Sequence, residues 1–133
     1  CRTYTAETVA EKTELLRKTA LEAARIYGAD TTRRMYFIEH TFSQPGMPAF
    51  CASVPYRSEG ENIVEIPTFS AICMYHHGAY EKLPEAVEKL IKYAEKNRIQ
   101  ILDKCRFAFL EGPPQHREKD KFITQVIVPL KEN

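Results

Sequence analysis

A carboxylate at the end of an aromatic run is the feature of this sequence best suited to chemistry. Glu111 closes the segment Arg106–Glu111, in which Phe107 and Phe109 precede it at alternate positions. Side chains alternate across a strand, so we expect Phe107, Phe109 and Glu111 to share one face. A buried carboxylate is costly unless something pairs with it, which indicates a bound cation, a hydrogen-bonding ligand or proton transfer. The alternative is an exposed acid that merely faces the glycine–proline turn after it.

The two rings and the acid together predict a pocket for a flat, apolar, cationic molecule. The rings supply apolar area and cation–π attraction, and the carboxylate supplies the opposite charge. Three tyrosines are further candidates for the pocket walls: Tyr36, Tyr56 and Tyr75. For each of them the alternative is an ordinary, half-buried strand tyrosine. Which face of strand 34–41 lines the pocket is left open by the pattern.

Other kinds of site find little support in the residue spacing. His76 and His77 are adjacent on a predicted strand and point to opposite faces, so they cannot hold one metal ion together. Cys73 lies in an apolar strand without an Asn or Asp to orient a partnering histidine. No glycine-rich loop for phosphate and no serine nucleophile motif is present. We therefore predict no metal and no cofactor.

Composition narrows the class of protein. The chain has 133 residues and a formal charge of +1 without a one-sided basic patch, which argues against nucleic-acid binding by this domain itself. No apolar run approaches the ~20 residues needed to span a membrane. The four cysteines form no CxxC pair, and we predict reduced thiols in a cytoplasmic protein. The sequence starts at Cys1, with no methionine before Met35, so we expect a domain cut from a longer protein.

Periodicity predicts one α+β domain over residues 1–133, built from two repeats, 1–62 and 63–133. Two helices are predicted, Thr13–Tyr27 and Leu83–Ala94, each with one apolar stripe. The predicted strands are 3–10 (or the front of the first helix), 34–41, 49–56, 69–76, 106–111 and 122–129, with a turn at 43–46. The order β-α-β-β occurs twice, and FIEH echoes FLEG. We expect pseudo-twofold symmetry, an antiparallel sheet with both helices on one side, and a ligand cleft between the halves.

Three segments carry a resemblance to a known family: YHHGAYEKLPEAVEKLIKYAEKNRIQI, then FLEGPP, then TQVIVPL. They resemble the GyrI-like effector-binding domain, the ligand-sensing half of MerR-type and AraC-type multidrug transcription regulators. The resemblance implies a cleft that holds lipophilic cations against aromatics and one central glutamate, whose position Glu111 matches. This sequence departs from the family pattern because it has no tryptophan and because Phe107 and Phe109 stand where tyrosine is common.

Two functions follow from this resemblance, and a protein-interaction module such as a gyrase modulator is a third possibility. The first is a small-molecule sensor domain of a transcription regulator, which contacts DNA only through a separate DNA-binding domain and is a dimer as the full-length protein. The second is a stand-alone hydrolase that opens strained electrophilic rings, with Glu111 as the general base and a tyrosine, Tyr36 or Tyr75, assisting. The phenylalanines beside Glu111 offer no second proton donor, which favours the sensor.

Overall fold

The computed structural model describes residues 1–28, 36–55, 57–112 and 117–132. The chain divides into two compact units, Cys1–Pro67 (unit 1) and Thr68–Asn133 (unit 2). Each unit has its own core.

Unit 1 folds as a strand, a helix and two further strands. Its elements are β1 (Arg2–Thr3), α1 (Val9–Tyr27), β2 (Tyr36–Thr41) and β3 (Gln44–Ala52). Both pairings are antiparallel, β1 with β3 and β2 with β3, so β3 lies in the middle. Phe50 and Ile38, which are paired across β2 and β3, are almost fully buried.

Helix α1 begins and ends where its sequence provides caps. Thr8 and Glu11 form a reciprocal capping box, which satisfies two backbone N–H groups at the N-terminus. Gly28 follows the last turn with a φ of 69°, a conformation that glycine adopts without a steric cost. The predicted helix is confirmed, and it starts four residues earlier than the sequence pattern indicated, because the chain before Thr13 joins the helix and leaves only Arg2–Thr3 as a strand.

Unit 2 repeats the same order of elements. They are β4 (Ala71–His77), α2 (Leu83–Lys96), β5 (Lys104–Glu111) and β6 (Ile123–Pro129). Strand β6 lies in the middle and pairs antiparallel with both β4 and β5. In each unit the first strand therefore pairs with the third, and the third with the second. This shared topology confirms the predicted α+β class and its duplicated β-α-β-β pattern.

The core of unit 2 lies between α2 and one face of its sheet. Leu83, Ala86, Leu90 and Ala94 recur at helical spacing along α2 and are all buried. Val126 and Val128 of β6 have no exposed surface. Between β4 and α2, Gly78 adopts a φ of 123°, which a residue with a side chain rarely does. Here the sequence pattern predicted both the helix and the break before it.

Two predictions about the bounds of strand β3 are wrong. Residues 44–46 do not form a turn: Phe42 and Ser43 connect the strands, and β3 already starts at Gln44. Proline and glycine suggested a turn, but the Gly46 carbonyl accepts a hydrogen bond from the Ala6 amide at 3.2 Å, so this stretch has a neighbour to pair with. The strand predicted over 49–56 ends at Ala52.

The prediction of four reduced cysteines is also wrong, because Cys1 and Cys51 form a disulfide bond. Their Cα atoms are 4.2 Å apart although 50 residues separate them in the sequence. The pairing of β1 with β3 brings them face to face, since Arg2 lies opposite Phe50. Cys73 and Cys105 lie in β4 and β5.

Among the described residues, no helix has the length and apolar character that a membrane span requires.

Candidate functional site

A shift of register in β5 decides where the side chain of Glu111 points. Phe107 pairs with Val126 and Phe109 with Thr124, but Glu111 then pairs with Ile123, because the register shifts between Phe109 and Glu111. Paired residues of antiparallel strands project to the same face, and consecutive residues project to opposite faces. Since Thr124 and Ile123 are consecutive, Glu111 lies on the opposite face from Phe109. The predicted face shared by Phe107, Phe109 and Glu111 is therefore wrong, because a β-bulge interrupts the alternation.

Phe107 and Phe109 belong to the face that carries the core of unit 2, which we call the inner face. Phe107 is buried beside Val126. The Phe109 ring meets the Tyr80 ring edge-on at a centroid distance of 5.2 Å, and Tyr80 stacks on Phe122 at 5.0 Å. These rings form one packed aromatic cluster just before helix α2. Their role in the structure is packing of the inner face.

The opposite, outer face of unit 2 brings Glu111 together with a different set of side chains. The strand registers arrange that face in three rows across β5, β6 and β4: Arg106–Ile127–Cys73, Ala108–Gln125–Tyr75 and Glu111–Ile123–His77. Tyr75 is 58% exposed and Glu111 is half-buried. Adjacent strands lie about 4.8 Å apart, so β4 and β5 are separated by roughly 10 Å across this face. That separation leaves the side chains of Gln125 and Ile123 of β6 between the tyrosine and the acid.

The charged groups of the outer face stand at opposite ends of β5. Glu111 ends the strand, and Arg106 lies two rows away. The Arg106 guanidinium lies over the Phe69 ring, 4.6 Å from its centroid, in a cation–π contact. The face therefore presents a negative end and a positive end, separated by the uncharged row of Ala108, Gln125 and Tyr75.

The remaining polar residues of β4 are also divided between the two faces. His76 belongs to the inner face, where its Nε2 atom is 2.9 Å from the Ala79 carbonyl oxygen, and His77 is exposed on the outer face. The prediction that the two histidines point apart is confirmed. Partial burial raises the pKa of the Cys73 thiol, which disfavours the thiolate that a nucleophile requires. No group of three His, Cys, Asp or Glu residues within the described ranges has the geometry to hold a metal ion.

Two of the predicted tyrosines lie in unit 1. Tyr36 begins β2, is half-buried and pairs with Ala52. It shares a face of the strands with Ile38 and with the paired residues Arg2 and Phe50. On that face Arg2 forms an ion pair with Glu22 of α1. Tyr36 thus faces α1, whereas which face of strand 34–41 lines a ligand cleft stays untested. Tyr56 lies outside the described residues.

Sequence reasoning missed the residues of β6 that form the outer face. Ile123, Gln125 and Ile127 alternate with the buried Thr124, Val126 and Val128. A glutamine within an otherwise apolar strand was the available signal, since a polar residue at alternate spacing marks the face that is not core. The role of Glu111 as a ligand contact stays a prediction, as does the cleft expected between the halves.

Comparisons with known proteins bear on the family and the fold. A family model described as a GyrI-like small molecule binding domain matches residues 33–131. Among solved structures, the chain is similar to the C-terminal domain of EcmrR, with a TM-score of 0.80 and 17% sequence identity over 99% of this chain and 89% of that one. At that identity the likeness concerns the fold alone. A search of the curated proteins found no match.

Proposed function

This chain belongs to the GyrI-like small molecule binding domain family, and we propose that it binds lipophilic cations on the outer face of unit 2. The observation that carries the proposal is the register of β4, β5 and β6, which places Glu111 and Tyr75 on one face with Ile123 between them. A partly buried carboxylate beside apolar side chains favours a ligand that has both a positive charge and an apolar body.

The charge pattern of the face also gives the ligand a direction. The cationic group lies at Glu111, where opposite charges attract, and the ring system lies over Ile123 toward Tyr75. Gln125 offers an amide at the centre of the face for one hydrogen bond. Arg106 repels the cationic end from the other side, so only one orientation satisfies both charges.

We further propose that the domain senses its ligand for a transcription regulator. The likeness to the C-terminal domain of EcmrR supports this role, because that fold occurs there as one part of a longer protein. Contact with DNA and dimer formation then belong to the full-length regulator. The ligand acts by binding one arrangement of that protein more tightly than another.

The experiment is a fluorescence titration of the domain with a rhodamine dye, which is a lipophilic cation. We expect saturable binding by the wild type and a roughly 10- to 100-fold weaker affinity for Glu111→Gln, because a charge-assisted contact is lost while the shape is kept.

Glu88→Gln is the matched control, since it removes the same charge from the exposed surface of α2. Its affinity is expected to equal that of the wild type. Equal affinities for Glu111→Gln and Glu88→Gln would contradict the proposed site, and a wild type that binds no dye would contradict the proposed ligand class.

A further inference from the structure

Unit 1 contains a cavity of about 240 Å³ that has no residue in common with the outer face of unit 2. Its walls come from the C-terminal half of α1, the ends of β2 and β3, and the segment 62–66. The disulfide between Cys1 and Cys51 closes one side. Segments distant in the sequence therefore converge on a single concave space beside the core of unit 1.

Most of the wall is apolar. Eight apolar side chains line the cavity, among them Ile26, Phe37, Val54, Val64 and Ile66. Three of these are unusually accessible for their type, with Ile26 50%, Val64 58% and Ile66 42% exposed. Accessible apolar side chains grouped around a concave space are typical of a ligand site, because a bound molecule removes their surface from water.

Each charged group of the cavity already has a partner within the wall. Arg2 and Glu22 both line it and form an ion pair, with side chains 36% and 23% exposed. A cationic or an anionic ligand would meet one like charge and would have to compete for the other. The Cys1 ammonium, also at the wall, donates a hydrogen bond to the Asn62 carbonyl oxygen at 2.6 Å. The remaining polar side chains of the wall are neutral and include Thr19, Ser53 and Asn62. The lining therefore favours a neutral molecule over an ion.

We infer that this cavity is a second ligand site, which binds a compact, neutral, mainly apolar molecule with one hydrogen-bonding group. The volume is below the ~300–1,000 Å³ of sites for drug-sized ligands, so the ligand is limited to one or two rings. The inference does not depend on the function proposed for the outer face, since ligand charge, unit and residues all differ.

The experiment measures binding of three probes of similar shape to the ¹⁵N-labelled chain by chemical-shift titration: benzyl alcohol, benzylamine and benzoate. We expect benzyl alcohol to give saturable shifts for residues 19–27, 52–54 and 62–66. Benzylamine and benzoate are expected to bind more weakly, by about tenfold or more, because each disturbs the ion pair. Tighter binding of either ion would overturn the ligand class.

Two variants fill the cavity by different routes. Ala23→Leu adds volume from α1, and Ser53→Phe adds it from the exposed residue just after β3, where folding is less at risk. Each is expected to abolish saturable binding of benzyl alcohol, whereas the control Ser70→Phe, at an exposed serine of unit 2, leaves it unchanged.

Three results would overturn the second site: shifts that stay linear up to the solubility limit, saturable shifts confined to β4–β6, or loss of benzyl alcohol binding in Glu111→Gln. The last two would assign the probe to the outer face and would leave the proposed function standing. Conversely, loss of rhodamine binding with intact benzyl alcohol binding in Glu111→Gln would support both sites as separate.

Discussion

At the scale of single residues, Thr124 stands out because a polar atom is buried in the core of unit 2. Its Oγ1 atom is buried and has no hydrogen-bond partner among the described residues. The residue has no exposed surface and lies on the inner face between His76 and Phe109. A buried hydroxyl without a partner loses its hydration and gains nothing in return.

We therefore predict that Thr124→Val stabilises the protein. Valine keeps the branched shape and strand preference while removing the desolvated oxygen, and the expected gain is ~1–2 kcal/mol in the free energy of unfolding. Urea denaturation of both proteins gives this difference from the shift of the midpoint at constant m-value.

Thr19→Val is the matched control in α1. Thr19 is also buried, but its hydroxyl donates a hydrogen bond to the Leu15 carbonyl oxygen at 2.9 Å. Because that bond is lost, no stabilisation is expected there. A gain of the same size at both positions would show that added apolar surface, rather than the partnerless hydroxyl, controls stability.

At the scale of elements, the end of β5 is held by an aromatic residue of the turn before α2. Tyr80 contacts Phe109 and Phe122 through its ring, and its hydroxyl lies against Gly112, the residue after Glu111. A Cβ atom at position 112 would collide with that hydroxyl. Since the ring is packed against two others, it cannot swing away without losing contacts.

The prediction is that Gly112→Ala destabilises the protein by ~1–3 kcal/mol, the usual penalty for inserting volume into a packed region. Adding Tyr80→Phe removes the colliding hydroxyl and should recover part of that loss. Thermal unfolding of the two single variants and the double variant forms a cycle that measures the coupling.

Gly46→Ala provides the comparison, because a Cβ atom there meets nothing within 4 Å. Its effect should stay within about 0.5 kcal/mol. Independent, additive effects of Gly112→Ala and Tyr80→Phe would rule out the collision as the cause.

Strand β5 and helix α2 show how far the sequence could predict this structure. Helix α2 was predictable because its apolar residues recur at one period and Pro84 suits the first turn. Alternation correctly predicted that Phe107 and Phe109 share a face. It did not predict that this face carries the core, or that Glu111 lies on the other face. Alternation assumes an unbroken register, and the bulge that breaks it depends on how β5 pairs with β6, which no local pattern in β5 records.

At the scale of the whole chain, long-range pairing explains what else escaped prediction. The disulfide joins residues 50 positions apart, and only the alignment of β1 with β3 makes them neighbours. The cavity of unit 1 likewise draws its walls from five separate stretches of the chain. Glu111 and Tyr75 were predictable as site candidates from residue type, whereas Gln125 and Ile123 became visible through the register of the sheet.

The stability of the chain should depend on pH through His40. Burial, and to a lesser extent the positive charge of Lys12, lowers the pKa of His40 from 6.5 to about 4 in the folded protein. Above pH 6.5 the imidazole is neutral in both the folded and unfolded states, so the stability is at its full value. Between pH 6.5 and about 4 the unfolded chain binds a proton that the folded chain does not, and the free energy of unfolding therefore falls as the pH falls.

We predict that His40→Gln weakens this acid dependence. Carboxylates also titrate in part of the window, so the measured quantity is the difference between variant and wild type in urea denaturation at pH 7, 6, 5 and 4. Glutamine removes the titrating group but keeps polarity, and the wild type should lose more stability than the variant over these steps.

His77→Gln, at an exposed position of β4, should follow the wild type. Parallel curves for wild type and His40→Gln would show that the imidazole of His40 titrates alike in the folded and unfolded states, contrary to the burial observed here.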